Sequence, residues 1–158
     1  DIGQLTFEGQ ATWTFTDVID LFDAGVSSFS QNDFNGTIGD PDFVANTRLS
    51  FERGDWTYSW FTNFVSRTSQ AGIANQNVTY LGAPAWRKNY AEPILYHDAS
   101  VRWEGEDLAV ILGVTNLFDE HPPAMGTGTT TRVGNSPLLA TQYDLVGRTA
   151  FLSISKEF

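Results

Sequence analysis

The sequence predicts an all-β protein of about six antiparallel strands running as an up-and-down meander. Three observations point there: apolar and polar side chains alternate over six long segments, the composition favours pleated structure, and short connections alternate with long ones. Twelve Phe, five Trp, five Tyr and many Thr suit strands, while helix formers in periodic runs are scarce. Fourteen glycines punctuate the chain, and its 158 residues fit one domain, 1–158.

The first segment sets Leu5, Phe7, Gly9, Ala11, Trp13 and Phe15 against Thr6, Glu8, Gln10, Thr12, Thr14 and Thr16. The second sets Thr47, Leu49 and Phe51 against Asn46, Arg48, Ser50 and Glu52, and Arg53-Gly54-Asp55 makes a tight turn. The third follows at once, with Trp56, Tyr58, Trp60, Thr62 and Phe64 opposing Thr57, Ser59, Phe61 and Asn63. In the fourth, His97, Ala99, Val101 and Trp103 alternate with Asp98, Ser100 and Arg102 before a polar turn at Glu104-Gly105-Glu106-Asp107. The fifth carries Leu108, Val110, Leu112 and Val114 against Ala109, Ile111, Gly113 and Thr115. The sixth sets Ala150, Leu152, Ile154 and Phe158 against Thr149, Phe151, Ser153 and Ser155. The long connections run about Asp23–Asp42, Ser66–Pro93 and Asn116–Tyr143.

Charge and composition exclude several functions. Nine Lys and Arg against nineteen Asp and Glu give a formal net charge of −10, the opposite of a nucleic-acid footprint, so no nucleic acid is expected as a partner. Without cysteine there is no disulfide framework, thiolate metal site or thiol nucleophile. The longest apolar run, Leu108 to Val114, is far too short for a membrane-spanning helix. His97 and His121 lack metal-ligand spacing, and Asp40 and Asp42 lack the calcium-loop pattern, so neither metal nor cofactor is expected. Gly126-Thr127-Gly128 is not in a phosphate-loop context, and no nucleophile–base–acid set is visible, so the chain reads as a non-enzyme.

Segments of roughly 10 residues match strands that cross a bilayer on a tilt. Short turns at one end with long loops at the other are the layout of outer-membrane barrels, and Trp13, Phe15, Trp56, Tyr58, Trp103 and Phe158 sit where interfacial girdles would need them. The same alternation also suits a soluble β-sandwich, such as a carbohydrate-binding module, and an outer-membrane barrel enzyme is a further alternative. The chain opens at Asp1 in mid-pattern and reads as a mature protein or a piece of a longer one.

Three motifs add a resemblance. Tyr96-His97-Asp98-Ala99-Ser100-Val101-Arg102 leads to Gly113-Val114-Thr115-Asn116-Leu117-Phe118-Asp119-Glu120-His121-Pro122-Pro123, and the chain ends Tyr143-Asp144-Leu145-Val146-Gly147-Arg148 through Phe158. Their order and spacing closely resemble the C-terminal end of TonB-dependent outer-membrane receptors, and the likeness extends back through Trp56, Gly54 and Arg48 to the first strand. The resemblance implies transmembrane β-barrel strands, the last six of a 22-stranded barrel, with short periplasmic turns and long extracellular loops. It implies a Gram-negative outer-membrane location and a parent whose plug domain and earlier strands are absent here. The parent would import a scarce nutrient: a ferric siderophore, cobalamin, a carbohydrate or a peptide. Implied partners are outer-membrane lipid, the plug and remaining barrel, the barrel-assembly machinery and, through the parent only, the TonB complex. Tyr143, Asp144, Gly147, Arg148, Phe151 and Phe158 would form the assembly signal, from which Lys156 departs, standing where an aromatic or aliphatic residue is usual.

The residues also suggest roles. Asn116 and Asp119 are turn formers, Leu117 and Phe118 would plug the corner they make, and Pro122-Pro123 would stiffen its exit. Gly113 and Gly147 would allow bending or close approach. Asp98 and Arg102 are expected to pair on the polar face, where Glu8, Arg48 and Glu52 would meet a plug. Ligand-contact candidates are Phe29 and Phe34 in the first long loop and Tyr80, Trp86, Arg87, Lys88 and Tyr90 in the second; the alternative is that they cap the loop end or join an aromatic belt.

Overall fold

A computed structural model of the chain describes residues 2–22, 29–70, 77–125, 136–137 and 142–157. Six long strands form one antiparallel sheet: β1 (Gln4–Trp13), β2 (Phe43–Arg53), β3 (Trp56–Val65), β4 (Ile94–Glu104), β5 (Leu108–Thr115) and β6 (Thr149–Lys156). Each strand pairs with its neighbour in sequence, so the sheet is a meander with β1 and β6 at its two edges, and it does not close on itself. The described residues contain no helix.

Both short turns lie at one end of the sheet. Arg53 faces Trp56 across a two-residue turn in which Gly54 takes φ +56°, the conformation that a type II′ hairpin asks of its first central residue. At the second turn the Gly105 amide donates to the Leu108 carbonyl at 2.8 Å. The long connections lie at the other end. Strand limits differ from the alternation pattern by a few residues: β1 stops at Trp13 and β4 starts earlier, at Ile94. Beyond Trp13 the Thr14 amide still reaches the Asp42 carbonyl at 2.8 Å, while Phe15 leaves the ladder and stacks on Trp13 with centroids 5.6 Å apart.

Parts of the long connections are themselves paired, which the alternation pattern did not anticipate. Val18–Phe22 pairs with Phe29–Asp33, Asn77–Tyr80 with Ala83–Trp86, Thr68–Ser69 with Tyr90–Ala91, and Ala124–Met125 with Ser136–Pro137. The hairpin at Asn77–Trp86 turns through Leu81 and Gly82 at φ +48° and +80°, the two positive values of a type I′ turn. Gly82 adopts this freely; a leucine there is strained, which hid the turn from sequence.

The register sorts side chains into two faces. One row across all six strands reads Phe7, Leu49, Trp60, Ala99, Val114, Ala150, and the next reads Leu5, Phe51, Tyr58, Val101, Leu112, Leu152. Phe7 is 68% exposed, Leu112 57% and Leu152 63%, so this apolar face lies open. Aromatic rings gather at both its ends: Trp13, Phe43 and Phe64 near the long connections, Phe51, Tyr58 and Trp56 near the short turns.

The opposite face is polar in its middle, with Thr6, Ser50, Ser59 and Ser100 side by side. Its upper end is where the buried core lies. Val65, Ile94 and Tyr96 project there, and Ala91 and Tyr143 from the long connections pack on them with Ile38 and Val44. The connections therefore fold over the polar face.

Gly113 of β5 faces Phe151 of β6, and a Cβ at Gly113 would collide with the Phe151 ring. The ring covers the glycine's bare backbone, an arrangement that stabilises glycine-bearing strands. Gly113→Val is expected to cost about 1–3 kcal/mol by overpacking, and Phe151→Ala should relieve much of that cost, a coupling read from a double-mutant cycle of unfolding free energies.

Candidate functional site

The motif residues converge on one corner, where β5 leaves the sheet and the chain returns to enter β6. Asn116, only 2% exposed, is its hub and takes φ +50°, a conformation that Asn tolerates better than most residues. Its amide N–H donates to Asp98 Oδ1 of β4 at 2.8 Å. Its side-chain Oδ1 accepts the Glu120 amide at 2.8 Å, and Nδ2 donates to the Glu120 carbonyl at 2.9 Å and to Asp144 Oδ2 at 2.8 Å. One carboxamide thus closes its own turn and anchors the returning segment.

Asp119 extends the tie. Its amide donates to the Asn116 carbonyl at 2.9 Å while φ stands at +58°, and its Oδ1 accepts the Arg148 amide at 2.9 Å. Gly147 turns the chain into β6 at φ +81°, where a Cβ would come within 3.1 Å of Asp119 Oδ1. Asp144 Oδ1 accepts the amides of Val146 at 2.9 Å and Gly147 at 3.3 Å, and the Asp144 amide donates to the Tyr96 hydroxyl at 3.2 Å. Buried Tyr143 closes the other side, its hydroxyl 3.3 Å from the buried Thr68 hydroxyl. Burial works against the Asp144 carboxylate, but hydrogen bonds from the Val146 amide, the Asn116 side chain and the Gly147 amide outweigh it and hold the carboxyl below the usual range.

Leu117 and Phe118 follow Asn116 in the turn. The Leu117 amide donates to the His97 carbonyl at 2.7 Å, joining the turn to β4. The Phe118 ring lies over the apolar face, edge-on to His97 at 5.3 Å and tilted to Trp60 at 6.2 Å. It covers a polar spot rather than plugging the corner from inside. Pro122 and Pro123 follow, half-buried and outside any strand.

The ligand-contact candidates are brought together only in part. Trp86 and Tyr90 meet edge to face at 6.4 Å, with Lys88 Nζ 4.9 Å from the Tyr90 ring centroid. Arg67, which sequence reasoning missed, places its guanidinium 4.2 Å from the same ring. The Thr68–Ser69 pairing with Tyr90–Ala91, extended by the Gln70 amide donating to the Asn89 carbonyl at 2.8 Å, makes them neighbours. Tyr80 stands on the opposite side of its hairpin from Trp86, because it pairs with Ala83 whereas Trp86 pairs with Asn77. Arg87 is half-buried. Phe34 is half-buried, its amide donating to the Asp17 carbonyl at 2.7 Å; Phe29 begins the strand Phe29–Asp33 opposite Phe22. Phe158 and Gly126-Thr127-Gly128 lie outside the described residues.

The expected Asp98–Arg102 pair is not formed. Asp98 accepts the Asn116 amide instead, and Arg102 reaches Glu104, two residues along the same face, at 2.9 Å. Proximity along one strand decides this, and both partners of the Arg102–Glu104 pair are largely exposed, so it contributes little to stability. Glu8 and Arg48 are register partners on the exposed polar face, and Glu52 lies opposite Gln4. Among the described residues no group of three His, Cys, Asp or Glu is placed to hold a metal ion.

Asn116→Ala strips three hydrogen bonds and leaves the Glu120 amide and an Asp144 oxygen without their partner. It is expected to destabilise the chain by about 1–3 kcal/mol, from ~0.5–1.5 for each of the part-buried hydrogen bonds lost, as measured by denaturant unfolding. Because the folded Asp144 carboxyl titrates below its unfolded value, its contribution is present in full above the ordinary carboxylate range near ~4. That contribution is lost as pH falls through the lower folded value. Asp144→Asn should therefore flatten the loss of stability as the pH falls below about 4.

Comparison of the chain with protein-family models, with curated proteins and with solved structures finds no match.

Proposed function

We propose that this chain is a stretch of outer-membrane β-barrel wall, the C-terminal six strands of a TonB-dependent receptor whose parent imports a scarce nutrient. The observation that carries the reading is the open apolar face, continuous across six neighbouring strands. In water, each large side chain left on such a face forgoes about 1.5–3 kcal/mol of burial. A soluble sandwich would cover it with a second sheet of comparable size, and the other sheets among the described residues have only two strands each. Lipid covers it without any further protein.

Other features support the same reading. Four strands are 10 or 11 residues long and two are eight, close to the ~9–11 of tilted membrane strands. Aromatic clusters mark both ends of the apolar face, and both short turns share one end. The corner is assembled from the residues that carry the resemblance, Asn116, Asp119, Asp144 and Gly147. In this reading the polar face lines the lumen around a plug, and the free edges of β1 and β6 continue into the parent barrel. The long connections form the extracellular mouth, where Arg67, Lys88 and Tyr90 offer cation and ring to a ligand. Lipid, the assembly machinery and, through the parent, the TonB complex are the partners; the role is transport rather than catalysis.

Refolding with and without detergent tests this reading. The expected outcome is a β-rich circular dichroism spectrum only in detergent or lipid, with aggregation in plain buffer. A monodisperse monomer that unfolds cooperatively in buffer would overturn it in favour of a soluble module. As part of the same test, Leu112→Arg on the apolar face should cost about 2–4 kcal/mol in lipid. At a water-facing position the same change would stay within about 0.5 kcal/mol.

A further inference from the structure

Where the returning segment folds over the polar face, it leaves a chamber of about 530 Å³ between itself and the upper ends of β3, β4 and β5. Asn63, Tyr96, Asp98, Gln142 and Asp144 give it its polar lining. Two features of that lining are not explained by the corner.

The first is Gln142. Its carboxamide is buried, and neither Oε1 nor Nε2 has a hydrogen-bond partner. Buried polar groups are nearly always paired, so a donor and an acceptor orphaned side by side call for a partner. The second is charge. Among the described residues, the ionised groups lining the chamber are both carboxylates, in contrast to the cations around Tyr90. Asp144 commits both oxygens to Asn116, Val146 and Gly147. Asp98 commits only Oδ1, to the Asn116 amide, which leaves Oδ2 to receive a cation.

We infer that this chamber binds a short basic stretch of polypeptide, with a peptide group on the Gln142 carboxamide and a Lys or Arg side chain on Asp98. The chemistry selects the class. A peptide group presents one N–H and one C=O, the complement of the two atoms orphaned on Gln142. The carboxylate lining rejects anions and favours an ammonium or guanidinium. A polyamine supplies charge but no acceptor, and a neutral sugar supplies hydroxyls but no charge; a basic peptide meets both demands. The inference goes beyond the transport reading and does not require a bilayer, since the described residues that line the chamber belong to the corner and the sheet.

The test is calorimetric titration of the full chain, in whichever medium gives its β-rich spectrum, with tri-lysine amide, tri-glutamate and spermine at about 0.15 M salt, where long-range attraction to a chain of net charge −10 is largely screened. Tri-lysine amide should bind saturably and tri-glutamate should not. Gln142→Leu breaks no hydrogen bond, so it should leave the unfolding midpoint unchanged or raised while weakening tri-lysine amide about tenfold or more and leaving spermine unaffected. Asp98→Asn, which keeps an oxygen for the Asn116 amide, should weaken both cations. Micromolar affinity would mark a peptide taken from solution. Millimolar affinity would mark a segment normally held nearby by its own chain, where tethering supplies the effective concentration. Equal binding of tri-lysine amide by the wild type and Gln142→Leu, or saturable binding of tri-glutamate, would overturn the proposal.

Discussion

Register is the constraint on which the rest of this structure depends. Side chains alternate along a strand with period two, so a slip of one residue would carry Leu5, Phe7, Leu49, Phe51, Leu112 and Leu152 to the polar face and put Arg48, Glu52 and Arg102 in their place. Backbone ladders cannot prevent this, because they are equally satisfied in either register. Turns and side-chain ties must do it. The Gly54 hairpin fixes β2 against β3, the Gly105 turn fixes β4 against β5, and the Asn116 corner fixes β5 against β6 despite the long excursion between them.

That corner shows why a polar residue can occupy one of the most buried positions in the molecule. Asn116 is satisfied on both side-chain atoms and on its backbone, so the desolvation that burial imposes is met bond for bond. The apolar face solves a related problem in the row Thr47, Thr62, His97. Trp60 Nε1–H donates to Thr62 Oγ1 at 3.2 Å, and that oxygen lies 3.0 Å from His97 Nδ1. A hydroxyl oxygen can accept from the indole and still either donate to or accept from the imidazole, so this one side chain ties the indole to the imidazole ring. Phe118 then covers the ring, so the motif's aromatic residue seals a polar seam in an otherwise apolar surface.

Sequence carries what local period encodes and loses what depends on chain return. All six strands of the sheet were legible from alternation, and both short turns from Gly54 and Gly105. Asn116 and Asp119 were legible as turn formers because Asn and Asp tolerate positive φ. The tie from Asn116 to Asp144, the Arg67–Tyr90 contact and the small hairpins were not, since each depends on the path of a long connection. Asp98 shows the same limit: its residue type suggested an ion pair, but the amide that actually reaches it belongs to a turn 18 residues further on. Gln142 carried no signal at all, because an orphaned amide is a property of surroundings rather than of type.

Surface area turns these local facts into a statement about environment. A compact globular chain of 17.5 kDa exposes about 7,900 Å² by the usual scaling of area with mass; this chain exposes 11189 Å². Part of that area is the apolar side of a single layer of sheet, where Phe7, Leu112 and Leu152 lie open, and among the described residues the polar side is covered only near one end. The buried hydrophobic core among the described residues is five side chains, Val65, Ala91, Ile94, Tyr96 and Tyr143, all at that end. Such a core cannot by itself offset the conformational entropy of ordering the long strands below it. Among the described residues the well-packed corner is the part of the stabilisation that the chain itself supplies; in the proposed barrel, an apolar medium on one face and neighbouring strands at the two open edges would supply the rest.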